Sequence, residues 1–175
     1  VKLRKIIKTA MLLIAITASV WCAVILMQPV EIIAVHRNNT SSYIIVKNFP
    51  LMSGEKIKWW KENEHLLKEN YHIPEPDDSG IFTVIIYDYG DGYQELKPDP
   101  DSFFPSDDLD YLICFKDMPV KANCIRKENS VLHVGGSNNG TMYYWVDGAS
   151  WYQTPGGPLV KEYQVSINFM PFMRY

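Results

Sequence analysis

The sequence predicts an α+β protein: an N-terminal transmembrane helix followed by one mainly antiparallel β domain with one packed amphipathic helix. Three observations predict it. An uncharged run, AMLLIAITASVWCAVILM, fills the 18 positions Ala10–Met27. A later stretch, SGEKIKWWKENEHLLKENY, repeats apolar residues at helical spacing. The remainder divides into short β-branched and aromatic runs punctuated by Gly, Pro, Asn and Asp. The 175 residues therefore divide into a basic start (1–9), an anchor (10–28) and a folded domain (29–175) large enough for its own core.

The anchor comes first. As a helix, its uncharged run is about 27 Å long at ~1.5 Å per residue, close to a hydrocarbon core of roughly 30 Å. A cleaved secretory signal needs small residues at −3 and −1, and Trp21 or Ile16 occupies −3 at the two available sites. Cys22 follows Trp21, which does not suit a lipoprotein signal. Lys2, Arg4, Lys5 and Lys8 precede the run with no acid among them. By the positive-inside rule the start stays in the cytoplasm, and the domain lies across the inner membrane in the periplasm. The other residues hold 13 basic and 20 acidic side chains. So acidic a body excludes nucleic acid as the expected partner, because phosphate binding needs clustered Lys and Arg.

After Pro29, VEIIAVH and SYIIVKNF flank the polar turn RNNTS and predict a β-hairpin. The amphipathic helix follows. Ile57, Trp60, Leu67 and Tyr71 form its apolar stripe, Glu55 sits where the helix dipole favours an acid, and Pro74 and Pro76 end it. IFTVIIYDY is an unbroken apolar run that predicts a central strand covered on both faces. A hairpin turn at GDG leads to YQEL. The segment KPDPDSFFPSDDLD is loop chemistry. YLICF and NCI predict a hairpin, VLHV and TMYYWV flank the turn GGSNNG, and a last strand is expected near Glu162 to Ile167.

In an oxidising periplasm Cys114 and Cys124, facing each other across their hairpin, are expected to form a disulfide. Free thiols are the alternative. A metal site would need closer ligand pairs with histidines nearby, and His133 stands alone.

Motifs for catalysis are weak. YGDGYQE lacks the third glycine of a dinucleotide loop, and GGSNNG places Asn139 where a nucleophile turn needs glycine. Asp99, Asp101, Asp107, Asp108 and Asp110 break calcium-loop spacing at Phe103 and read first as a solvated acidic loop, with an acidic docking surface for a basic partner as the softer reading. His36, His65, His72 and His133 form no HxxxH or HExxH pattern. No catalytic residue, metal ligand or cofactor is assigned. In MYYWV, Tyr143 and Trp145 share one face. Trp151 and Tyr152 follow after a short turn. The plain reading is one core face and one amphipathic surface. The sharper one is that Tyr143, Trp145 and Trp151 offer rings suited to a protein interface or to stacking on sugar.

The segments PVEIIAVH, VKNFPL, KIKWWKENEHLLKENYHIPEP, YGDGY, LICFKDM and NCI occur here in that order. Together they resemble the enterobacterial putative membrane protein family, small proteins with one N-terminal membrane segment, over the chain to about residue 127. The resemblance implies an inner-membrane location in a Gram-negative bacterium of the gut type and carries over no catalytic residue. Three functions follow as expectations. The first is a non-enzymatic protein-binding module, in its concrete form an immunity protein whose acidic surface captures a basic toxin. The second is an envelope enzyme acting on peptidoglycan or another glycan. The third is an accessory subunit of a membrane complex, for which Ala15 and Ser19 supply a small-residue pair.

Overall fold

The structure, a computed structural model, describes residues 2–26, 28–38, 41–98 and 109–162. Helix α1 (Lys2–Leu26) is followed by strands β1 (Glu31–Asn38) and β2 (Ser41–Lys47) and helix α2 (Ser53–Tyr71). Then come β3 (Phe82–Asp88), β4 (Gln94–Glu95), β5 (Leu112–Cys114), β6 (Ala122–Arg126) and β7 (Ser130–Gly136). The described chain closes with β8 (Met142–Val146), β9 (Ala149–Gln153) and β10 (Val160–Glu162). The expected last strand is met only at Glu162, and its continuation lies outside the described residues.

One sheet runs β1-β2-β3-β7-β8-β9-β10 and a second runs β4-β6-β5. Every pairing is antiparallel except β2 with β3. Parallel neighbours need a long crossover, and α2 supplies it. The helix spans the residues its periodicity predicts. Ile57, Trp60 and Leu67 are buried, packed with Ile44, Val46, Val84, Ile86, Leu132, Val134, Tyr144 and Val146 from one face of the large sheet. At the helix end, His72 adopts a left-handed conformation, and the Ile73 amide donates to the Leu67 carbonyl.

The opposite face of β2 and β3 carries Tyr43, Ile45, Ile85 and Tyr87, which pack against Phe115 and Ile125 of the small-sheet layer. β3 is thus central and covered on both faces, as its continuous apolar run requires. One expectation needs correction. The turn after β3 does not return the chain as a hairpin. Gly90 and Gly92, both at positive φ, carry it across to the second sheet, where β4 pairs with β6.

The N-terminal segment is helical, but among the described residues no helix is long and apolar enough to cross a membrane.

Candidate binding surface

The small sheet covers only part of one face of the large one. Beyond its reach the strand register determines what lies there. His133 pairs with Trp145 and Gly135 with Tyr143. Trp145 pairs in turn with Ser150, and Tyr143 with Tyr152. These residues share the face that Ile85 presents, because Ile85 is the partner of His133 on β3. Tyr143 and Trp145 stack at 6.0 Å between ring centroids and 19° between planes. Both are half-buried, as is Tyr152, and none belongs to either core cluster. Gly135 lets the indole lie close, since a Cβ there would meet the Trp145 ring at 3.2 Å. Beside the rings opens a hollow of about 360 Å³, bordered by Val131, His133, Trp145, Ala149 and Ser150. Burial lowers the His133 pKa from its usual 6.5 and so favours the neutral imidazole, while Asp147, also on the border of the hollow, carries its charge.

Trp151, grouped with these rings from the sequence, lies on the other face. It pairs with Tyr144 and packs on the helix-side core. The reason is parity. Asp147 and Gly148, both at positive φ, make a two-residue turn, which sets Val146 opposite Ala149 and Trp145 opposite Ser150. Counting on in twos from Ser150 reaches Tyr152. The sequence already held that signal in the dipeptide Asp147-Gly148.

Of the acidic candidates, Asp99, Asp101, Asp107 and Asp108 lie outside the described residues. Asp110 is exposed and accepts a hydrogen bond from the Lys127 ammonium at 2.5 Å. Cys114 and Cys124 occupy paired positions on β5 and β6 and are joined by a disulfide. Among the described residues no group of three or more His, Cys, Asp or Glu side chains is placed to hold a metal ion. Ser19, of the small-residue pair, donates its hydroxyl to the Ala15 carbonyl of its own helix at 2.8 Å.

Two polar clusters escaped the sequence because their members are far apart in the chain. His36 on β1 is 5% exposed. Its Nδ1 lies 2.8 Å from Asp117 Oδ2 and its Nε2 lies 2.7 Å from the Tyr93 hydroxyl. Its ring stacks on Phe115 at 3.9 Å. Burial, followed by the neighbouring Tyr89 and Asp117, pushes the Tyr93 phenol up to about 12, so it remains a hydrogen-bond donor. This carboxylate–imidazole–phenol chain has the order of a proton relay. Both ring nitrogens are engaged internally, however, and the cluster fastens β1 to the loop that the disulfide closes.

In the second cluster, buried Lys56 and the hydroxyl of Ser53, at the start of α2, each donate to the Asp147 carboxylate at 2.6 Å. Burial pushes the Asp147 pKa up. The hydrogen bonds from Lys56 and Ser53 and the Lys56 charge outweigh it and hold the carboxyl below 3.8. The pair locks the β8–β9 turn, and with it the aromatic face, to the helix.

A family model described as enterobacterial putative membrane protein (DUF943) matches residues 1–163. The likeness read from the sequence to about residue 127 therefore extends through β10. No curated protein and no solved structure matches the chain.

Proposed function

The chain belongs to the enterobacterial putative membrane protein family, and from that premise we propose that it is a membrane-tethered, non-enzymatic protein-binding module whose recognition surface is the Tyr143–Trp145 face. α1 is the tether, crossing the inner membrane through residues 10–28 with its basic start in the cytoplasm and the β domain in the periplasm. Support comes from the uncharged run Ala10–Met27 and from Met11, Leu12, Leu13, Ile14, Ile16, Val20 and Trp21, all exposed and absent from both core clusters. A disulfide suits an oxidising space.

The observation that carries the binding reading is the stacked Tyr143–Trp145 pair, half-exposed on a sheet whose other face packs against α2. Tyr and Trp supply most of the energy at protein interfaces when they sit on a rigid support. The acidic body favours a basic partner, and neutralising a toxin from a neighbouring cell is one concrete form of that role. The test is capture from envelope extracts with the whole protein and with the Tyr143→Ala/Trp145→Ala variant, both checked for folding. The expected result is one protein retained by the first and lost with the second. Equal retention by both, or no retention, contradicts the reading.

A further inference from the structure

Leu51 and Met52 are the most exposed of the large apolar side chains among the described residues, at 76% and 73%. They sit in the short link between β2 and α2, and that link is fastened at both ends. Phe49 before them is buried edge-on against Trp59 at 5.1 Å, and the Met52 carbonyl accepts the Lys56 amide to begin the helix. Two such side chains held out into solvent on a fixed turn call for a partner.

Their position identifies it. The Asn48 side chain, from a residue in the left-handed conformation, donates to the Pro29 carbonyl at 3.3 Å. Glu31 pairs with Lys47. Pro29 is three residues from the end of α1, and Leu51 is three residues from Asn48. Each of those steps spans at most about 10 Å of extended chain. The Leu51–Met52 turn is therefore confined to the end of the domain where the chain leaves α1.

We infer that Leu51 and Met52 insert into the headgroup boundary of the bilayer, giving the domain a second membrane contact beside its tether. The inference rests on the anchor reading of α1. The contact is apolar, and the lysines nearest in sequence are engaged within the domain: Lys47 stacks over Tyr89, Lys56 pairs with Asp147, and Lys58 pairs with Glu55. It therefore requires no anionic lipid. Its effect is to fix the height and tilt of the sheet above the membrane, and so the direction in which the aromatic face points.

The experiment uses the full chain in phosphatidylcholine vesicles. A Cys22→Ala background leaves the disulfide intact, and an environment-sensitive fluorophore is placed at Leu51→Cys or, as control, at Asn138→Cys on the β7–β8 turn at the far end of the sheet. The expected result is a blue-shifted emission at 51 that spin-labelled lipid quenches, with neither effect at 138. Equal behaviour at the two positions in protein that resists carbonate extraction overturns the inference and leaves the anchor standing. A blue shift at 51 without lipid quenching means that protein covers the pair, and also overturns it. Release of the protein by carbonate overturns both.

Discussion

Trp145 shows how single positions set the proposed surface. Its indole rests against β7 because Gly135 has no side chain, and its neighbour across the turn is Ser150, which leaves room for the hollow. His36 does the comparable task in the interior. Replacing it with Ala removes a stacked ring and leaves Asp117 and Tyr93 without their shared partner. His36→Ala is expected to lower unfolding free energy by about 2–4 kcal/mol, measured by urea denaturation at fixed pH. The pH dependence follows from two depressed pKa values. His133 is held below 6.5 by burial, so the stability it contributes is complete above that pH and falls as acid protonates the unfolded chain. Asp147 is held below 3.8 by Lys56 and Ser53, so its contribution is complete above 3.8 and is lost as pH drops through its lower folded value. Thermal unfolding should therefore weaken in two stages on acidification, with Asp147→Asn flattening the lower stage and His133→Gln the upper. A profile unchanged by both substitutions contradicts the assignment.

Elements were more legible than sites. Period and punctuation place α2 at Ser53–Tyr71, β3 in a central position, and hairpins at both 31–47 and 112–126. These signals are local, and local signals are what a single sequence carries. The joining of β4 to the β5–β6 hairpin was not legible, because β4 has two residues and its partner β6 lies well downstream in the chain. The parallel pairing of β2 with β3 was likewise hidden, since it depends on which way α2 folds back. The aromatic face was half legible. Alternation within MYYWV placed Tyr143 and Trp145 correctly, but the register across the next turn decided between Trp151 and Tyr152. The His36 cluster joins positions 57 and 81 residues apart and leaves no trace in spacing. At this scale the disulfide is the element to test. It closes a loop with a separation of 10 residues, for which chain entropy gives about 2–3 kcal/mol. Reduction should lower stability by that amount and increase amide exchange in β5 and β6 before β2 and β3, as read by hydrogen exchange. Uniform exchange across both sheets contradicts the layered account.

On the scale of the whole molecule, the layers divide the labour. α2 and the small sheet cover the β2–β3 centre from opposite sides, and the large sheet extends past the small one through β8, β9 and β10, where its aromatic face remains open. The Leu51–Met52 turn lies at the end of this body where the chain leaves α1. An alkaline phosphatase fusion at the C-terminus is expected to be active, and the same fusion lacking residues 1–28 inactive. Activity in both contradicts the tether. The most direct test of the central claim is photo-crosslinking in intact cells from a photoreactive amino acid placed at position 145, with position 138 as the control. A binding module of the kind proposed gives one discrete protein adduct from 145 and none from 138. The same set of adducts from both positions, or none from 145, contradicts it.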